Sequence, residues 1–121
     1  MPSTERIKGL IALVEQGKFI EALEQFYHAE ASMQENGEPP RRGVEALIAH
    51  ERGVMERVKI VGARQAGPVF VSGDEAVLNW VFEIARPDGT IVRLDELARQ
   101  RWQGDRIAEE RFYYDPSQLS G

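Results

Sequence analysis

The chain changes its hydrophobic period once, and the change divides it into a helical part and a sheet part. Ile7, Leu10, Ile11 and Val14 recur at i, i+3, i+4 and i+7, which puts them on one side of a helix ending near Gly17. Phe19, Ile20, Leu23, Phe26 and Tyr27 then share the face of a second helix, with His28 pointing away from it. Asn36-Gly37-Glu38-Pro39-Pro40 is a loop, because consecutive prolines lack donors and force an extended path. After Gly43 a third helix carries Val44, Leu47, Ile48, Val54, Met55 and Val58 on one stripe, with Gly53 as a weak point inside it. From Lys59 the period becomes two, with turn signals at Ser72-Gly73-Asp74, Pro87-Asp88-Gly89 and Gly104-Asp105. That is a meander of strands. Leu78, Trp80, Phe82 and Ile84 form an apolar face that should meet the helices, and Val77, Asn79, Val81 and Glu83 form the opposite one.

The pairing of these strands follows from their turns. If Pro87-Asp88-Gly89 is a three-residue loop with Gly89 in the left-handed region, Arg86 pairs with Thr90 and Trp80 stands opposite Glu96. Leu78 then faces Ala98 and Ala76 faces Gln100, so Val92, Leu94, Glu96, Ala98, Gln100 and Trp102 share the helix-facing side. The last turn leaves two options. A two-residue Gly104-Asp105 turn pairs Trp102 with Ile107 and sends Glu109, Arg111 and Tyr113 inward; a longer loop or a bulge sends Glu110, Phe112 and Tyr114 inward.

Length and charge narrow the classes. A chain of 121 residues with 42% hydrophobic and 29% charged residues fits one folded domain, 1–121, whose tail after about residue 116 is expected to fray. No window reaches the roughly 18 apolar residues of a membrane span, and the first residues lack a signal-peptide pattern, so a cytoplasmic protein is expected. The net charge of -5 disfavours nucleic acid, and Arg41-Arg42 is too short to be a basic patch. With no cysteine and only His28 and His50 as histidines, neither a metal nor another cofactor is expected.

Three segments carry a family resemblance: Phe26-Tyr27-His28-Ala29-Glu30, then Glu35-Asn36-Gly37-Glu38-Pro39-Pro40-Arg41-Arg42-Gly43, then Arg101-Trp102-Gln103-Gly104-Asp105-Arg106-Ile107. In this order of elements the chain resembles the SnoaL-like and ketosteroid-isomerase-like group of the nuclear-transport-factor-like superfamily. The resemblance spans nearly the whole chain. It implies a cone-shaped α+β barrel, with three N-terminal helices packed on a curved antiparallel sheet. It also places the group's general base on Glu35 and matches Tyr27 to a tyrosine of the group's pocket network. The two oxyanion donors of true ketosteroid isomerases would fall near Leu10 and Ala98, which cannot donate. Tyr27 is a candidate replacement donor.

Carboxylates standing in apolar patterns are the internal clue to a site. Glu51 lies in the middle of the third helix's stripe with His50 on its flank, where burial would raise its pKa and suit it to acid or base work. Glu96 and Gln100 are the only strongly polar members of their strand's inner face, and Glu110 joins them if the last turn bulges. Phe26, Trp80, Phe82, Trp102 and Phe112 are open to two readings, packed core or the wall of an apolar ligand site. The expected activity is that of an isomerase, lyase or cyclase on a small apolar carbonyl compound. Glu35 or Glu51 would move the proton and Tyr27 would orient the substrate, with His50, Trp80, Glu96, Gln100, Trp102, Glu110 and Phe112 around it. The alternative is a non-catalytic ligand-binding or dimerisation module. Val77, Val81 and Leu97 interrupt an otherwise polar outer face, so a homodimer through that face is expected.

Overall fold

The apolar stripes become helices in the structure, a computed structural model that describes residues 1–120. Helix α1 spans Thr4–Glu15; the Ser3 hydroxyl caps it by accepting from the Arg6 N–H at 3.1 Å, and Ile7, Leu10 and Val14 are buried. Helix α2, Phe19–Phe26, buries Ala22, Leu23 and Phe26. The two pack closely at Gly9, where a Cβ would stand 3.0 Å from the Phe26 ring. Helix α3, Val44–Arg57, starts behind Gly43 at φ 90° and buries Leu47.

The sheet has six strands: β1 (Tyr27–Glu35), β2 (Arg41–Arg42), β3 (Lys59–Ser72), β4 (Glu75–Ala85), β5 (Ile91–Gln103) and β6 (Arg106–Tyr113). Their order is β2-β1-β6-β5-β4-β3, which does not close on itself. The three helices pack on this curved sheet as a cone-shaped α+β fold. Two expectations are corrected here. The second helix stops at Phe26, and Tyr27 already has strand geometry (φ -117°, ψ 144°), so Tyr27 and His28 belong to β1. The sheet is also mixed rather than antiparallel, because β1 runs parallel to β6. Both differences have one cause. The β6 edge supplies backbone partners to β1 from some 80 residues away, as in Tyr27 opposite Ile107 and Glu35 opposite Phe112. His28 is fixed there too, its Nε2 lying 2.9 Å from the Gln103 carbonyl oxygen.

In the central hairpin, Gly89 is left-handed (φ 89°), and the Arg86 N–H donates to the Thr90 carbonyl at 2.8 Å. Trp80 stands opposite Glu96, Leu78 opposite Ala98 and Ala76 opposite Gln100. The last hairpin joins features of both alternatives. Its turn has two residues and pairs Trp102 with Ile107, but Arg101 then pairs with Glu109, leaving Ala108 as a bulge that aims Glu110 and Phe112 inward. The segment expected to fray instead forms a 3-10 turn, Pro116–Leu119. It covers the part of β5 beyond the end of β6: Asp95 N–H donates to Gln118 Oε1 at 2.9 Å, and Gln118 Nε2 donates to the Asp95 carbonyl at 3.1 Å.

Leu10, Leu78, Ile107 and Trp102 anchor the core between helices and sheet. On the outer face Val81 is only 4% exposed in the single chain, whereas Leu97 is 47% exposed. Among the described residues no helix is long and apolar enough to cross a membrane.

Candidate functional site

Helices and concave sheet do not meet everywhere, and a half-open cavity of about 520 Å³ remains between them. Phe19, Leu23, Leu47 and Val54 reach it from the helices, and Trp80, Phe82, Leu94 and Phe112 from the sheet. Trp80 and Phe82 stack with ring centroids 6.1 Å apart, and Phe19 meets Phe82 edge-on at 6.2 Å.

Into this apolar space the fold aims four carboxyl groups, Glu35, Glu51, Glu96 and Glu110. Glu110 forms the back wall. It is 3% exposed, accepts the Tyr27 hydroxyl proton on Oε1, and accepts Gln100 Nε2 on Oε2 at 2.7 Å. Burial pushes its carboxyl up to about 7, against the downward pull of those two hydrogen bonds. Burial, then the neighbouring Glu110, drives the Tyr27 hydroxyl well above its ordinary range. Because the one Tyr27 proton is committed to Glu110, Tyr27 is not placed as the replacement oxyanion donor. Trp102 departs from its expected place at the substrate. It does not line the cavity but stands behind the wall, 1% exposed, with its indole N–H donating to Gln100 Oε1 at 3.0 Å. The relay Trp102 to Gln100 to Glu110 fixes the orientation of the Gln100 amide.

Glu96 differs from Glu110 in having no donor. It is 7% exposed, and its side chain makes no hydrogen bond among the described residues. No sealed side-chain oxygen lacks a partner among those residues, so its carboxyl reaches the cavity space. Burial first, then the charges of Glu110, Glu35 and Glu51, push it up to about 8, so it holds a proton at neutral pH. Glu51 on α3 is half-buried and is pushed up to about 7 by burial and then by Glu35. At the end of β1, Glu35 Oε1 accepts the Tyr114 hydroxyl at 2.9 Å. Burial, followed by that hydrogen bond, raises the Tyr114 pKa. At the rim His50 is lowered by burial, then by Arg41, with Glu35 opposing.

The expected residues Glu35, Glu51, Tyr27, His50, Trp80, Glu96, Gln100, Glu110 and Phe112 thus all border one cavity. Sequence reading missed Met33, Arg41, Arg57 and Arg86, which also border it. Arg41 faces inward because it pairs with Met33 across β1 and β2. A two-residue strand has no readable period, so only the pairing reveals that direction. Among the described residues no three histidine or acidic side chains converge as a metal site would require.

A cone-shaped α+β fold with a half-open cavity under its helices is the nuclear-transport-factor-like class. Within it the chain belongs to the SnoaL-like domain family, whose profile matches residues 7–110. A protein of Mesorhizobium loti assigned as a SnoaL-like polyketide cyclase is 29% identical, with a TM-score of 0.82 over 94% of this chain and 100% of that one. A protein of Xanthomonas campestris assigned as a polyketide cyclase shares the fold at 14% identity and TM-score 0.80, over 96% of this chain and 92% of that one. A ketosteroid-isomerase-like protein of Catenulispora acidiphila, solved with trimethylamine, shares it at 16% identity and TM-score 0.81, over 97% and 90%. No curated protein matches the sequence.

Proposed function

We propose that the cavity binds a small, largely apolar carbonyl compound and moves its α-proton, as an isomerase, lyase or cyclase does. The observation that carries this is the pairing, in one apolar cavity, of a carboxyl poised near 7 on Glu51 with a protonated one near 8 on Glu96. A base that titrates near the working pH is the efficient one, and a neutral carboxylic acid is a donor for the oxygen of an enolate. Glu51 takes the proton from carbon, while Glu96 donates a hydrogen bond to the carbonyl oxygen as charge develops there. Glu35, beside Glu51, is the second candidate base. Gln100 and Glu110 hold the back wall, and Trp80 and Phe112 cover the apolar body. Cyclisation through carbon also begins with an enolate, so assignment of the Mesorhizobium loti relative as a polyketide cyclase is in keeping with this chemistry.

The test is exchange of α-protons of 5-nonanone for solvent deuterium, followed by NMR. We expect catalysed exchange that Glu51→Gln lowers about 100-fold, the scale of a general base. Persistence of exchange in Glu51→Gln together with its loss in Glu35→Gln moves the base to Glu35. A ketone that binds and does not exchange leaves a ligand-binding module and removes the enzyme.

The outer sheet face is our proposed contact between two copies. Leu97 and Tyr113 stand open there beside the Arg99–Glu75 and Arg101–Glu109 ion pairs. Sedimentation at micromolar concentration should give a dimer that Leu97→Glu weakens. A monomer refutes it.

A further inference from the structure

The mouth of the cavity has cations that its depth lacks. The pair Arg41-Arg42 is split by strand alternation: Arg41 pairs with Met33 and joins the cavity wall, whereas Arg42 pairs with Ser32 and faces the outer groove. Arg57, in the last turn of α3, comes to the same mouth. Its Nη1 lies 3.4 Å from where a Cβ of Gly53 would stand, so the guanidinium is folded back along the helix. Both cations act on His50, which lies on α3 with Arg57: burial lowers its pKa most, Arg41 next and Arg57 least, with Glu35 opposing. Neither the Arg41 nor the Arg57 guanidinium has a hydrogen bond or ion pair among the described residues, whereas Arg99 and Arg101 each have a carboxylate within 2.6 Å.

We propose that Arg41 and Arg57 clamp an anionic end of the ligand, so that the compound taken by this cavity is a keto acid, with its carboxylate at the mouth and its ketone in the depth. This rests on the reading of the cavity as a site for apolar carbonyl compounds and names their class. The carboxyl groups on this side of the cavity are Glu35, whose oxygen is already engaged by the Tyr114 hydroxyl, and Glu51 beside it, and neither forms an ion pair with Arg41 or Arg57 among the described residues. A planar guanidinium matches a carboxylate in two parallel hydrogen bonds, and partial enclosure strengthens each. In the depth, by contrast, Glu96 and Glu110 have no cation beside them among the described residues, and an apolar space without a counter-charge costs an anion its hydration while it accommodates a ketone. A neutral compound would satisfy the depth and leave the mouth unused. An acid satisfies both and enters in one orientation only.

Calorimetric titration with 8-oxononanoate and with its methyl ester at pH 7.5 separates the possibilities. We expect the acid to bind about 10-fold more tightly than the ester, the scale of one partly exposed charge-assisted pair. Its affinity should fall as salt rises, while that of the ester stays level. In the double variant Arg41→Gln, Arg57→Gln, two rim side chains outside the core, the two probes should bind alike. Equal binding of acid and ester to the native chain, or an acid preference that survives the double variant, overturns the clamp and leaves the cavity reading standing. Failure of both probes to bind overturns the cavity reading and the clamp together.

Discussion

Glu109 and Glu110 are neighbours in the chain and opposites in the fold. Glu109 lies on the outer face of β6, where Arg101 comes within 2.5 Å in water. Glu110 lies on the inner face, 3% exposed, held by a tyrosine and an amide but by no cation, and burial pushes it up to about 7. Along β4 and β5 the same division recurs: Glu75 meets Arg99 outside and is lowered by it, and Glu96 has no hydrogen-bond or ionic partner inside among the described residues and is raised by burial to about 8. Strand alternation alone sorts these groups, since one residue step turns a side chain from one face to the other. The outer carboxylates are arranged to be ionised and inert. The inner ones are arranged to hold a proton where one can be moved.

That contrast can be broken at graded cost. Replacing Glu96 by leucine should lower α-proton exchange about 100-fold, as loss of one oxyanion donor does, while Glu109→Gln leaves it unchanged. The exchange rate itself should rise as Glu51 loses its proton near pH 7 and fall as Glu96 loses its own near pH 8, and Glu96→Gln, which keeps a donor, should remove the falling limb.

Stability should separate the inner carboxyl groups from the outer ones as well. The Glu96 carboxyl binds its proton more tightly folded than unfolded, so its contribution is fully present below about pH 4.5 and is lost as pH rises to about 8. Urea melts should therefore show Glu96→Gln gaining about 5 kcal/mol on the native chain between pH 4 and pH 9, an order-of-magnitude conversion of the shift. A difference that does not vary with pH would contradict it. Tyr27→Phe removes a donor from the buried Glu110 and should cost about 1.5 kcal/mol at pH 7 while raising the Glu110 pKa further. The smallest effect belongs outside: Arg101→Ala should cost under about 1 kcal/mol, because its ion pair is exposed.

What the sequence shows of this division depends on how local its cause is. The Trp80–Glu96 and Ala76–Gln100 pairings are legible because a three-residue turn with a left-handed glycine sets them a few residues away. Tyr27–Glu35 is not. His28-Ala29-Glu30-Ala31-Ser32-Met33-Gln34-Glu35 holds several good helix formers and no β-branched residue, and its strand exists because the distant β6 edge pairs with it. The inner carboxylates could be found as charges out of pattern. Arg41 and Arg57 could not, since an arginine at the rim of a cavity has the same local sequence context as one in open water. Trp102 illustrates a third limit: alternation assigns it to the inner face but gives no depth, and it proves to back the wall rather than form it.

Ala108 has one more consequence. Its bulge sits between the Gly104-Asp105 turn and the stretch of β6 that lines the cavity, so the turn and the lining are set separately. Excising Ala108 would leave Glu109 opposite Arg101 and Glu110 opposite Gln100, with the same groups presented to the ligand and a less twisted strand beneath them. The hairpin tip therefore acts as slack in the chain. Single-residue gains and losses there can accumulate in a lineage without rewriting the chemistry of the cavity, whereas the same change beyond Glu109 would turn Phe112 out to water and bring Arg111 in.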